Sequence, residues 1–182
     1  MSEEEPPPLD RGRILAALER YEVRYVLVGG LAAQAYGALR VTKDLDLCPQ
    51  WSDRNLQLLA SALRELDGRY KNVADHLRLP PDARLIAGQE IGSWRTSGGD
   101  VDVLNGIPRQ RTPRRVARYE QLLEDSAVLA IDGREIPVAS LDAIIRSKEI
   151  ADRPKDRDAL PELRDLRERR RELEPPDLGL ER

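Results

Sequence analysis

Short apolar runs alternate along this chain with longer stretches in which apolar side chains recur every three or four positions. That wider spacing predicts a helix from Leu9 to Arg20, with Leu9, Ile14, Leu15 and Leu18 on one face. Val23 to Val28 is a compact run of β-branched and aromatic residues closed by Gly29-Gly30, which predicts a buried strand. An alanine-rich helix is expected directly behind the glycines, over Leu31 to Tyr36. Leu45 to Cys48 reads as a second strand stopped by Pro49. Ser52 then caps a helix through Leu66 that carries Leu56, Leu59, Leu63 and Leu66.

The middle of the chain looks β-like. Tyr70 to Ala74, Ala83 to Ala87 and Ile91 to Arg95 are strand candidates, Ser97-Gly98-Gly99 is a turn or bulge, and Asp100 to Leu104 alternates strictly. Thr112-Pro113 has the form of a helix start, with threonine as cap and proline in the first turn, predicting a helix through Leu123. Ala127 to Ile131 and Glu135 to Val138, joined by Asp132-Gly133-Arg134, predict a hairpin. Ser140 caps a helix over Leu141 to Ala151, and Pro154 restarts the chain into a last helix through Leu173. Several strands lie too close together for helical crossovers, so the expected fold class is α/β (α+β): a mixed β-sheet with flanking helices and a short C-terminal helical region. Residues 1–8 are expected to be a disordered lead, 9–138 the core, 139–174 the C-terminal helical region and 175–182 a flexible tail.

Composition narrows the picture. The 182 residues are 40% hydrophobic and 35% charged, as expected of a globular domain with a heavily charged surface. A net charge of -3 gives no global attraction to nucleic acid or membrane, although Arg109, Arg111, Arg114, Arg115 and Arg118 make one local basic stretch that is a candidate RNA contact. No apolar run is long enough to span a bilayer, and the single cysteine excludes an internal disulfide. With an acidic rather than signal-like start, a cytoplasmic protein is expected. The Arg/Glu-rich end (RDLRERRRELE) reads as a solvated helix with i,i+4 ion pairs. Among 30 lysines and arginines only Lys43, Lys71, Lys148 and Lys155 are lysines, so each of these compact cations merits attention.

Three segments carry candidate chemistry. Gly29-Gly30, between a strand and a helix, suits either an anion site or simply a tight turn. Asp44 and Asp46 share a strand face, where like charges repel unless a cation lies between them; exposure to solvent is the plainer alternative. A hard divalent ion such as Mg²⁺ would take their oxygens and still accept phosphate oxygens, and Mn²⁺ could replace it. Asp102, flanked by valines, is the candidate third carboxylate for metal-assisted phosphoryl chemistry, whereas Asp100 follows two glycines and suits a turn. Cys48 reads as a packing residue, Lys43 as facing away from the carboxylates, and Trp51 and Trp94 as core-edge residues. His76 has no histidine or cysteine partner nearby to ligate with.

The order of these segments resembles the nucleotidyltransferase superfamily, with its polymerase-beta-like fold, and specifically the AbiEii-like (MenT-type) bacterial toxins. In VGGLAAQAYGALRVTKDLDL, residues Gly29, Gly30, Ala32, Arg40, Thr42, Asp44 and Asp46 fall in the family pattern; GGDVDVLN is similar to its third-carboxylate strand. ASLDAIIRSKEIADRPKDRDALPEL, residues 139 to 163, resembles a downstream signature of a helix lysine followed by Arg-x-Lys-Asp. The resemblance implies that Asp44, Asp46 and Asp102 hold Mg²⁺, that Gly29, Gly30, Arg40, Thr42 and Lys148 bind the triphosphate of an NTP, and that Lys148 and Asp156 complete the active site. It also implies an RNA acceptor such as the tRNA 3′ end, an antitoxin protein as partner, and the lack of a C-terminal domain found in longer members. A small-molecule acceptor or a non-catalytic nucleotide-binding module are the alternatives.

Overall fold

The computed structural model describes residues 8–71, 73 and 79–173. The expected lead (apart from residue 8), the far end of the Tyr70–Ala74 candidate, His76 and the 175–182 tail lie outside these residues.

The chain opens with α1 (Arg11–Arg20), started by the Asp10 carboxylate, which accepts from the Arg13 N–H, and anchored through buried Ile14, Leu15 and Leu18. β1 (Tyr25–Val28) runs straight into α2 (Gly29–Ala35). β2 (Asp44–Pro49) and α3 (Asp53–Glu65) follow, the latter capped by Ser52 as its sequence predicts. After β3 (Arg69–Tyr70) and α4 (Ala83–Ala87) come β4 (Ile91–Thr96) and β5 (Gly99–Leu104), a hairpin turning at Ser97-Gly98. β6 (Ile107–Gln110), β7 (Arg115–Ala117) and α5 (Tyr119–Glu124) lead to the hairpin β8 (Ala127–Ile131) and β9 (Arg134–Val138). Its turn, Asp132-Gly133, has positive φ at both residues, as two-residue hairpin loops require. α6 (Leu141–Ala151), capped by Ser140, and α7 (Pro154–Leu173) close the fold.

Seven strands form one mixed sheet in the order β3-β4-β5-β2-β1-β9-β8. The β1–β9 and β2–β5 pairs are parallel and the others antiparallel. β6 and β7 pair separately. The sheet buries Val26, Leu27, Leu45, Leu47, Val101 and Val103 in a single core with the α1 and α3 leucines. Among the described residues, no helix is long and apolar enough to cross a membrane.

Two expectations about the elements are corrected, and one about a side chain. Ala83–Ala87 is a helix, because the Asp82 carboxylate accepts from the Arg84 and Leu85 N–H groups and a five-residue segment is too short for its periodicity to tell helix from strand. The helix predicted from Thr112-Pro113 begins only at Tyr119. Ile107 instead pairs with Ala117 across the β6–β7 hairpin, burying both, and this outweighs the local threonine–proline signal. Trp94, expected at a core edge, is wholly buried and tilted against Tyr70, ring centres 5.2 Å apart. On α7, Arg169 pairs with Asp165 along the helix at 2.6 Å, but Arg164 reaches Glu149 (2.6 Å) and both Arg167 and Arg171 reach Asp142 (3.2 Å each) on α6.

Asn55 is the buried polar pin of the fold. Its side chain accepts from the Arg24 N–H (2.8 Å) and donates to the Arg24 and Gln50 carbonyls (2.9 Å each), locking α3 to the start of β1 and the end of β2. Asn55→Ala leaves those backbone groups without their partner. Thermal unfolding should show a loss of about 2–3 kcal/mol, a Tm lower by roughly 5–10 °C.

Candidate active site

The β1–β2–β5 register builds the site. Val28 faces Asp46 across the antiparallel pair, and in the parallel pair Asp44 lies beside Asp100 and Asp46 beside Asp102. Leu45 and Leu47 turn into the core, so the alternate positions on β2 must present their carboxylates on the opposite face. One oxygen from each of Asp44, Asp46 and Asp102 lies within 4.8 Å of the others, the one such acidic cluster among the described residues. Burial, followed by repulsion from Asp44 and Asp102, pushes the Asp46 carboxyl up to about 7 against the Gly30 N–H bond and the Lys155 charge. Burial also raises Asp102, opposed first by a hydrogen bond from Ser93. An all-carboxylate donor set crowded this closely fits a hard divalent cation, whose charge removes the repulsion.

Asp100 shares the face but not the cluster. Lys71 Nζ sits 2.5 Å and Arg95 Nε 3.8 Å from its oxygens, so its charge is already balanced.

The glycine turn serves the carboxylates directly. Gly29 has φ +68, and a Cβ there would stand 2.0 Å from Asp46 Oδ2; one on Gly30 would stand 2.8 Å from Thr42 Oγ1. The Gly30 N–H donates to Asp46, and the Thr42 hydroxyl donates to Asp44 Oδ1 at 2.7 Å. Only residues without side chains let α2 approach the acidic strand so closely.

The opposite wall comes from the α6–α7 junction, where Asp152 in the left-handed region ends α6. Asp156 is completely buried, yet it accepts from Lys148 Nζ at 3.2 Å and from Arg153 Nε at 2.6 Å. Burial works to raise the Asp156 carboxyl, but the bonds from Arg153 and Lys148 prevail and hold it below the usual carboxylate range.

These walls enclose a cavity of about 460 Å³. Gly29, Gly30, Arg40, Thr42, Asp44, Asp46, Asp102, Lys148 and Asp156 all line it, so the structure brings together the acidic strands, the glycine turn and the downstream signature. Lys43, expected to face away, also lines it. Arg153 and Lys155 were not singled out by the sequence reading for roles of their own. Both lie within the Arg-x-Lys-Asp signature, which was the available signal. The basic stretch lies apart from the cavity, exposed around the β6–β7 hairpin. There Arg111 donates to the Glu149 and Ile150 carbonyls, Arg114 pairs with Glu90 at 3.2 Å, and Arg118 precedes α5.

The mixed sheet with its flanking helices is a fold shared with solved nucleotidyltransferases. Solved structures sharing it include the antibiotic-resistance factor ANT(2'')-Ia in complex with adenylyl-2''-tobramycin (TM-score 0.55, 20% identity, covering 90% of this chain and 95% of that one). A lincomycin-bound lincosamide antibiotic adenylyltransferase, LnuA, is similar with a TM-score of 0.59 at 17% identity, covering 86% and 96%. A putative nucleotidyltransferase from Thermotoga maritima is similar with a TM-score of 0.54 at 15% identity, covering 85% and 90%. No family model and no curated protein sequence matches the chain.

Two measurements test this geometry. Saturating Mn²⁺ should raise the Tm of the wild-type chain by several degrees, corresponding to about 2–3 kcal/mol at a hundredfold excess over Kd, and should not shift Asp46→Ala. Asp156→Asn should cost about 1–3 kcal/mol near neutral pH by leaving the mostly buried Lys148 without a counter-ion. Because the folded carboxyl is depressed, its contribution is present above the ordinary carboxylate range. The stability gap between wild type and variant, followed by urea unfolding, should therefore begin to close as pH falls through that range and vanish only below it, as the folded carboxyl itself takes up its proton.

Proposed function

We propose that the chain is a metal-dependent nucleotidyltransferase that moves NMP from an NTP to a hydroxyl acceptor. The observation that carries this reading is the convergence of Asp44, Asp46 and Asp102 with Lys148 and Asp156 around one cavity. The region over residues 139–174 thereby forms part of the active site rather than an appendage.

The acceptor oxygen forms a bond to the α-phosphorus as the bond from that phosphorus to the bridging oxygen breaks, releasing pyrophosphate. Asp102 would take the hydroxyl proton. Asp44, Asp46 and Asp102 would hold Mg²⁺ or Mn²⁺, which supplies neutralising charge to the phosphate oxygens when bound. Lys148, fixed by Asp156, offers a point cation to the triphosphate, and Arg40 and Lys155 extend the basic wall. The Gly29-Gly30 turn and Thr42 position the acidic strand and border the phosphate path.

The acceptor favoured by the resemblance is RNA, such as the tRNA 3′ end. The chain would then act in the cytoplasm as the toxin of a toxin–antitoxin pair and be restrained by a cognate antitoxin protein. The second reading, a small-molecule acceptor, is favoured by similarity to two antibiotic-modifying proteins. The intact acidic set argues against a purely nucleotide-binding module.

Purified protein incubated with Mg²⁺, each α-labelled NTP and total RNA should transfer label to RNA. Asp46→Ala or Asp102→Asn should reduce the rate by about a thousandfold or more, and Lys148→Ala by about a hundredfold. Label transfer that survives Asp46→Ala would remove the assigned site, and labelling of a small acceptor in place of RNA would select the second reading.

A further inference from the structure

The cavity is chemically lopsided. All its cations, Arg40, Lys43, Lys148, Arg153 and Lys155, come from the segment before β2 and the α6–α7 junction, where apolar residues such as Val41 and Ile144 and the carboxylate of Glu162 lie among them. On the β4–β5–β6 side, past Asp102, the lining is Ile91, Leu104 and Ile107. Ile91 lies opposite Leu104 in the β4–β5 register, two residues from the Ser93–Asp102 pair and on the same sheet face. That is one strand period, about 7 Å, from the carboxylate placed to receive the proton. Ile107 is buried, whereas Ile91 is 53% exposed and so leaves an apolar surface open at the cavity's edge.

An NTP triphosphate belongs against the cations, so the β4–β5–β6 side, which bears none, is left for the group that brings the hydroxyl. A polycationic acceptor would need carboxylates there. Beyond Asp102 the shelf offers none; Glu90, next in sequence to Ile91, lies outside the cavity lining and is held by Arg114. The strand that supplies Ile107 continues into the exposed β6–β7 hairpin. There, among the described residues, Arg109 and Arg115 have no carboxylate within ion-pair distance. An apolar seat leading to cations that no carboxylate neutralises suits a flat nucleoside followed by phosphates.

We propose that Ile91, Leu104 and Ile107 seat the terminal nucleoside of a single-stranded RNA acceptor, with its phosphates running out over Arg109 and Arg115. This rests on the nucleotidyl-transfer reading. The terminal base and ribose lie on the shelf and the ribose hydroxyl faces Asp102.

Two probes test it with the full chain: total tRNA with α-labelled NTP for transfer, and a fluorescein-labelled single-stranded hexaribonucleotide for metal-free binding by anisotropy. Ile91→Asp alters an exposed side chain, and Ile91→Ala is a milder companion should the charge disturb the strand. Ile91→Asp should weaken oligonucleotide binding and raise the KM for tRNA about tenfold or more, Ile91→Ala less, with the KM for NTP unchanged. Arg109→Ala with Arg115→Ala should weaken the same binding and flatten its salt dependence. An equal rise in the KM for NTP would make the shelf the seat of the nucleotide's own base and overturn the proposal. So would oligonucleotide binding indifferent to Ile91, or shelf-dependent labelling of lincomycin in place of RNA. tRNA labelling indifferent to Ile91 keeps the transfer reading and removes the shelf. Ile91-dependent oligonucleotide binding by a chain that transfers nothing keeps the shelf and removes the transfer reading.

Discussion

Three carboxylates crowded on neighbouring strands repel one another, and the surrounding structure is organised around that repulsion. Asp46 bears it plainly, with burial and both other aspartates acting together to raise its carboxyl. A protein shaped only by its own stability would not hold this arrangement, because replacing one aspartate by asparagine would relieve it. The Gly30 N–H on Asp46, the Thr42 hydroxyl on Asp44 and Ser93 on Asp102 each steady one member without neutralising it. What remains is an unmet demand for positive charge at one point of the sheet. Asp100, two residues before Asp102 on the same strand and balanced in charge by Lys71 and Arg95, shows how the same fold quenches a carboxylate outside the cluster.

The second wall follows the opposite logic. Asp156 is an anion buried so that two cations can be fixed, and its depressed carboxyl shows that the pairing outweighs its burial. Lys148 alone, on the last turn of a helix, would sample many rotamers; tied to Asp156 it keeps one direction. The ion pairs that fasten α7 to α6 are individually weak because they are exposed. Together with buried Leu160 and Leu163 they keep the junction bearing Arg153 and Asp156 against the sheet.

Much of this was legible in the sequence because the informative residues sit in periodic or capped segments. Strand parity placed Asp44 and Asp46 on one face, and Ser52 and Ser140 announced the helices that they cap. The last helix was legible because Pro154 restarts the chain there. What was not legible depended on distant partners. Thr112-Pro113 carries a genuine local helix signal, overridden by the pairing of Ile107 with Ala117. Lys43 follows strand parity away from Asp44 in the sequence, but it precedes the strand, where alternation no longer applies, and it borders the cavity. The glycines suggested a phosphate cradle; only the fold shows how closely their bare Cα atoms meet Asp46 and Thr42.

The parallel pairing of β2 with β5 also bears on when the site can exist. Between the two strands the chain must complete α3, β3, α4 and the whole of β4, and the wall bearing Lys148 and Asp156 arrives later still. Such non-local pairing closes late, after loop entropy has been met by other contacts. A chain emerging from synthesis therefore holds Asp44 and Asp46 together on β2 but apart from Asp102 until β5 docks, and apart from Lys148 and Asp156 until α6 and α7 follow. The meeting of the acidic cluster with its basic wall is thus a property of the finished fold, since its parts come from β2, β5, α6 and α7.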